Sequence, residues 1–205
     1  MIATFVDYEA GNLRSLRAAF ERAGAAVEVT QNPHAIAAAQ LIVIPGVGAA
    51  ASAMAALHEH ELVQPIIVAA RRGATVFGVC VGMQLLFERS SEGDVDGLAL
   101  LPGTVTRLAG ARRLPHMGWN DVQAQRSHAL AGTLPATCYF AHSFAVQDAD
   151  PACVVATTPV ERGGFASLVA RGRVAGAQFH PERSGPAGAA LLRDVVGWAG
   201  DADAA

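Results

Sequence analysis

The sequence predicts an α/β fold in which a central, mostly parallel sheet is covered by helices on both faces and runs into a mixed, partly antiparallel extension. Three observations carry this expectation. Through the first half, short apolar runs alternate with helix-like stretches, the pattern of a parallel sheet buried on both faces. After Gly97 the runs become shorter, β-like and punctuated by Gly and Pro, which suits antiparallel pairing. Finally, 205 residues at 52% hydrophobic composition are enough for one domain, spanning 1–205, with a substantial core.

In chain order, Ile2–Val6 reads as a strand, and a helix follows from about Asn12 to Ala23, stopped by Gly24. Val27–Thr30 and Leu41–Ile44 repeat the strand signal, the Ala-rich stretch Ala49–Ala56 is helix by propensity, and Ala74–Val79 is a strand ending at Cys80. A helical run is expected over Met83–Glu88. Further strands are expected at Thr104–Leu108, Thr137–Ala141, Ala152–Thr157, Phe165–Ala170 and Arg173–Phe179, with Pro115–Asn120 as a loop. Pro186 opens a last helix, Ala187 to about Trp198.

Composition narrows the function classes. A formal net charge of −3 with 16% charged residues provides no basic field for nucleic acid or anionic membranes. The N-terminal segment lacks the basic and apolar blocks of a signal peptide, and no run approaches the roughly 18 apolar residues of a membrane span. The three cysteines, Cys80, Cys138 and Cys153, are odd in number and widely spaced, unlike a disulfide framework or zinc ligands. A cytoplasmic protein without metal or cofactor is expected.

The chemistry concentrates at Phe77-Gly78-Val79-Cys80-Val81-Gly82-Met83-Gln84. A cysteine between two glycines, after an apolar strand and before a helical run, reads as a nucleophile elbow. The turn is too tight for larger neighbours, and the helix start favours thiolate over thiol. A buried structural cysteine at a strand end is the competing reading of this segment alone. A thiolate needs a proton carrier, and Gln178-Phe179-His180-Pro181-Glu182 offers one at the end of another apolar strand. His180 can act as base and then acid, with Glu182 fixing its tautomer. Pro181 stiffens the link between them. Ile44-Pro45-Gly46-Val47-Gly48 follows a strand and offers backbone N–H groups, so Val81 and the Gly46–Gly48 stretch are the candidate oxyanion donors.

These motifs resemble those of the class I glutamine amidotransferases, which hydrolyse the glutamine side-chain amide through a cysteine thioester. Asp7-Tyr8, Gly11-Asn12-Leu13-Arg14-Ser15, Pro45-Gly46-Val47-Gly48 and Pro115-His116-Met117-Gly118-Trp119-Asn120 extend the resemblance, nearly end to end, to the glutaminase subunits of imidazole glycerol phosphate synthases. The resemblance implies a flavodoxin-like sandwich, a Cys80, His180 and Glu182 triad, and L-glutamine as substrate. It also implies a pocket including Gly48, Gln84, His142 and Ser143, and ammonia passed to a (β/α)8-barrel synthase subunit in a heterodimer.

Asn12, Met117, Trp119 and Arg183 are then the expected partner contacts. Met117 and Trp119 flank a glycine and suggest an exposed apolar patch on physical grounds too, against the alternative of a tryptophan folded into the core. Arg183 stands where the family usually has lysine, and Glu9-Ala10 where it often has a glycine-containing pair. His58-Glu59-His60-Glu61 has histidines two apart rather than four, and reads as a solvated helix end. Asp94-Val95-Asp96-Gly97 reads as a surface turn rather than a calcium loop. Three rivals stay open: a glutaminase serving another acceptor, a silent binding subunit of the same fold, and an autonomous cysteine hydrolase.

Overall fold

A computed structural model describes residues 1–9, 11, 13–132 and 137–201. The first half contains β1 (Ile2–Val6), α1 (Leu13–Arg22), β2 (Ala26–Thr30), α2 (Pro33–Ala38), β3 (Leu41–Ile44), α3 (Ala50–Glu59), α4 (Val63–Arg71), β4 (Thr75–Val79) and α5 (Val81–Gln84). Next come β5 (Phe87–Ser90), β6 (Val95–Asp96), β7 (Leu101–Arg107), β8 (His116–Asp121), β9 (Gln123–Ala124), β10 (Thr137–His142) and β11 (Phe144–Ala145). The chain closes with β12 (Val154–Pro159), β13 (Gly164–Arg171), β14 (Val174–Ala177), a 3-10 turn at Pro181–Arg183 and α6 (Gly185–Gly200).

The main sheet has the order β2-β1-β3-β4-β14-β13-β12-β9. Its first five strands are mutually parallel, β1 to β4 because helical crossovers return the chain to the same end each time, and β13, β12 and β9 continue the sheet antiparallel. β3, β4 and β14 are buried at every position, as strands covered on both faces must be. On one side α1 buries Leu16, Ala19 and Phe20, and the Phe20 ring meets Phe5 of β1 edge-on at 5.3 Å. At the far end of the chain, α6 buries Leu191, Leu192, Val195 and Trp198. Its last carbonyls accept from the Arg173 guanidinium, at 2.9 Å for Trp198 and 3.0 Å for Ala199, which satisfies groups a helix end otherwise leaves open.

Two expectations need correction. The helix expected over Met83–Glu88 ends at Gln84, and Phe87–Ser90 is strand β5. Long-range pairing overrides local propensity there: Leu98 N–H bonds to the Leu85 carbonyl at 2.7 Å and Gly97 N–H to the Glu88 carbonyl at 2.9 Å. Gly97 permits this approach, since a Cβ in its place would lie 2.2 Å from the Phe87 carbonyl oxygen. The segment Pro115–Asn120, expected as a loop, is mostly strand β8, which pairs antiparallel with β10 in register His116↔His142 to Asp121↔Thr137. Pro115 only precedes the strand, and the ladder with β10 carries the rest.

The two motifs set aside in the sequence behave as surface features. His58 and Glu59 end α3 exposed. Arg89 pairs with Asp94 at 2.6 Å and Asp96 at 3.3 Å, and Val95–Asp96 forms the short strand β6 where a turn was expected. Among the described residues, no helix is long and apolar enough to cross a membrane.

Candidate active site

Cys80 sits where β4 meets α5, at the carboxyl end of a central parallel strand, the place where open α/β sheets bind ligands. Its backbone has φ 54° and ψ −110°, a conformation rare for a residue with a side chain. The turn survives because two glycines let backbone pack directly on backbone. A Cβ at Gly78 would lie 2.4 Å from the Gly82 carbonyl oxygen, and one at Gly82 would lie 1.9 Å from the Ile44 carbonyl oxygen. Both glycines expected to make the elbow therefore do so by excluding a side chain.

β14 delivers the candidate proton carrier. It pairs parallel with β4, so the residues just beyond it, Gln178 to His180, arrive beside the elbow. The His180 backbone N–H donates to the Tyr139 carbonyl at 2.9 Å. Ser184 Oγ closes a ring around this contact, donating to the His180 carbonyl at 2.7 Å and accepting from Tyr139 N–H at 3.0 Å. His180 Nδ1 lies 3.0 Å from Glu182 Oε1, with both side chains nearly buried. Burial pulls the His180 pKa down, but hydrogen bonds to Cys80 and Glu182, together with their negative charge, outweigh it and raise it to about 10. The sulfur and carboxylate thus favour an imidazolium.

A cavity of about 400 Å³ opens over the sulfur, lined by Val47, Gly48, Cys80, Val81, Gln84, Ser143 and neighbours. His142, His180 and Arg183 also contribute to its wall. Gly46, expected among the oxyanion donors, is absent from that lining. It is buried beneath, where a Cβ would lie 2.1 Å from the Gly82 nitrogen. The loop it belongs to is braced from below, since the Tyr8 hydroxyl donates to the Pro45 carbonyl.

The pocket residues differ in what they offer. Gln84 is buried and both its N–H groups are committed, to the Phe144 carbonyl at 2.8 Å and to Gln178 Oε1 at 3.1 Å. Its remaining polar atom, Oε1, is an acceptor. His142 Nδ1 donates to the Phe144 carbonyl at 2.9 Å, while its ring packs into a cluster with His116, Phe140 and Phe165. Burial in that cluster lowers its pKa to about 3 against a partial rise from the Phe144 bond, so the ring is neutral. Glu92 also lines the cavity, and its Oε2 accepts from Ala50 N–H at 2.8 Å. Sequence reasoning missed it because a lone carboxylate after Ser90-Ser91 has no motif around it.

The expected partner contacts divide. Asn12 lies outside the described residues. On β8 burial alternates, and Met117 and Trp119 face outward at 64% and 59% exposure. Their cross-strand partners on β10 are Ala141 and Tyr139. Trp119 meets the Tyr139 ring edge-on at 6.2 Å, and the exposed Arg183 guanidinium lies over that same ring, 5.3 Å from its centroid. Ala141 and Arg183 both line the cavity, so the apolar patch abuts the Cys80 pocket.

A strained cysteine on a strand–helix elbow, with an imidazole and a carboxylate close by, stands at the carboxyl end of the central strands of a flavodoxin-like sandwich. The chain belongs to the class I glutamine amidotransferase family, whose model matches residues 4–197. Among curated relatives it is 45% identical over 196 residues to the imidazole glycerol phosphate synthase subunit HisH of Idiomarina loihiensis, covering 94% of this chain and 96% of that one. It is 44% identical over 204 residues to the HisH subunit of Moorella thermoacetica, covering 96% of each. A solved glutamine amidotransferase superposes with TM-score 0.78 at 19% identity, covering 97% of this chain and 99% of that one. The PurLQS structure from Thermotoga maritima gives TM-score 0.73 at 20% identity over 96% and 98%. At these identities the two structures speak for the fold alone.

Proposed function

We propose that the chain, as one domain over residues 1–205, is the glutaminase subunit of an imidazole glycerol phosphate synthase in histidine biosynthesis. It hydrolyses L-glutamine to glutamate and ammonia for a (β/α)8-barrel synthase subunit, with which it forms a heterodimer. The observation that carries this is the contiguity of the Cys80 pocket with the exposed Met117 and Trp119 patch through Ala141, Tyr139 and Arg183. A partner seated on that patch lies beside the point where ammonia is released.

The reaction follows from the groups present. The Cys80 thiolate attacks the side-chain amide carbon of glutamine, and the negative charge moves to the amide oxygen. Backbone N–H groups of Val81 and the Val47–Gly48 segment are the proposed donors to that oxygen. The His180 imidazolium gives its proton to the leaving nitrogen, so the C–N bond breaks, ammonia departs and a γ-glutamyl thioester remains on Cys80. Neutral His180 then takes a proton from water as the water attacks the thioester. The imidazolium, held by Glu182, balances the returning thiolate. Gln84 Oε1 and the Glu92 carboxylate are acceptors suited to N–H groups of the bound amino acid.

Glutaminase turnover is proposed to be low in the isolated chain and to rise when the liganded barrel docks and aligns the Gly46–Gly48 loop, which requires the partner to bind the aligned loop better than the unaligned one. The test is glutamate release by the purified chain alone and mixed with a liganded barrel subunit. Strong release only in the mixture supports both chemistry and partner. Equal turnover with and without it points to an autonomous hydrolase and overturns the coupling. No release in a mixture where binding is demonstrated points to a silent subunit or another acceptor.

A further inference from the structure

We propose that Gln178 is a further catalytic residue, whose side-chain amide holds the Cys80 sulfur as a thiolate, and that Gln84 is the positioning residue that aims it. Gln178 is fully buried just beyond β14, and its backbone N–H is tied to the Ser167 carbonyl at 2.9 Å. Its side-chain oxygen accepts from Gln84 Nε2 at 3.1 Å, which leaves Nε2 pointing the other way, 3.8 Å from Cys80 Sγ. Gln84 is fixed in turn by the Phe144 carbonyl at 2.8 Å. A continuous line of carboxamides therefore runs from the β11 backbone to the nucleophile, and each amide has one orientation that satisfies its neighbours.

The contact discriminates between states of the sulfur. A thiolate is a strong acceptor for an N–H group, whereas a thioester sulfur carries no charge and accepts weakly. Gln178 therefore favours the resting nucleophile and the thiolate expelled when water breaks the thioester, and it contributes little to the acylated intermediate. The other groups facing the sulfur set what this donor must overcome. The Ala141 carbonyl oxygen stands 4.0 Å away, where it accepts from a thiol and repels a thiolate. The buried Tyr8 phenol is near enough for the sulfur's charge to help burial hold it protonated. His180 supplies the counter-charge, while Glu92, neutral His142 and Arg183 line the same cavity. Gln178 is a donor to the sulfur that carries no charge of its own, so it stabilises the thiolate whichever way the His180 proton moves.

The assignment rests on Cys80 being the nucleophile and is tested on the full chain without partner. Iodoacetamide alkylation of Cys80 is followed by mass spectrometry across pH, with Cys80→Ala as background. Gln178→Met, which keeps length and removes the donor, is expected to move the alkylation midpoint up by about one pH unit, a tenfold weaker preference for the thiolate over the thiol. It is also expected to lower kcat for glutamate release roughly tenfold with KM within about twofold. Gln84→Met, which unpins the amide, moves the midpoint the same way by less. An unchanged midpoint in folded Gln178→Met overturns the proposal. Should that variant fail to fold, Gln178→Asn, which withdraws the donor, must raise the midpoint, and an unchanged value there overturns it equally. The alkylation arm reads the thiol alone. A shifted midpoint in a chain that hydrolyses no glutamine even with the liganded barrel subunit bound upholds the Gln178 contact while sinking the glutaminase reading.

Discussion

His180 Nδ1 and Glu182 Oε1 lie 3.0 Å apart across a single proline, in a setting where both side chains are nearly excluded from water. In the proposed mechanism the carboxylate fixes the proton on Nδ1 and leaves Nε2 for the sulfur and the leaving nitrogen. Replacing it with an amide keeps the shape and removes the charge. Glu182→Gln is expected to lower kcat by roughly 10²-fold or more. His180 loses one of the groups holding it up at about 10, so the alkaline limb of the kcat–pH profile moves to lower pH. An unshifted limb in a steady-state profile of the variant contradicts this role.

The elbow's glycines give a stability prediction. A methyl group at Gly82 would overlap the Ile44 carbonyl oxygen at 1.9 Å, and the obstacle is backbone, which cannot rotate away. Gly82→Ala is expected to cost about 2 kcal/mol or more, read as a lower denaturant midpoint with an unchanged slope. A wild-type midpoint contradicts the packing described.

Trp119 projects from β8 with most of its surface in solvent, so truncating it removes little from the fold. Trp119→Ala is expected to weaken barrel-subunit binding by about 2 kcal/mol, roughly 30-fold in Kd, while glutamate release by the isolated chain stays near wild type. Titration calorimetry with the barrel subunit measures the first and a coupled glutamate assay the second. Unchanged affinity places the interface elsewhere.

Acid stability follows from His142. Burial lowers its folded pKa to about 3, below the ordinary value of 6.5, so the unfolded chain binds the extra proton first. The stabilisation is fully present above about pH 6.5 and is lost as pH falls from there toward 3, by up to about 1.4 kcal/mol per unit. His142→Asn, whose amide keeps a donor for the Phe144 carbonyl, is expected to flatten that slope between pH 6 and 4. His116 and His128, also lowered mainly by burial, retain part of it. Denaturant titrations at several pH values decide, and parallel slopes for variant and parent count against the assignment.

Much of this site's geometry is legible in the sequence. The Cys80 elbow and the His180-Pro181-Glu182 motif are short, and their chemistry depends on residue types a few positions apart. The strands around them announced themselves as apolar runs because both faces are buried. What escaped was set by distant partners. Phe87–Ser90 became a strand because Gly97 and Leu98 pair with its neighbourhood, and β8 formed because β10 lies beside it. Glu92 and the sulfur contact of Gln178 depend on which side chains point at one cavity or one atom, and spacing along the chain carries no trace of that.

The backbone-on-backbone seam at Gly46, Gly78 and Gly82 also limits how the enzyme can be re-engineered. The seam beneath Cys80 is mostly main chain packed against main chain, so its three glycines offer no side chain to enlarge, trim or recharge. A designer seeking a different amide as substrate has to work from the opposite wall, at Ala141 to Phe144 and Glu92. The same strand also carries Tyr139 on the outer patch, so a changed substrate preference and a changed fit to the partner become one design problem.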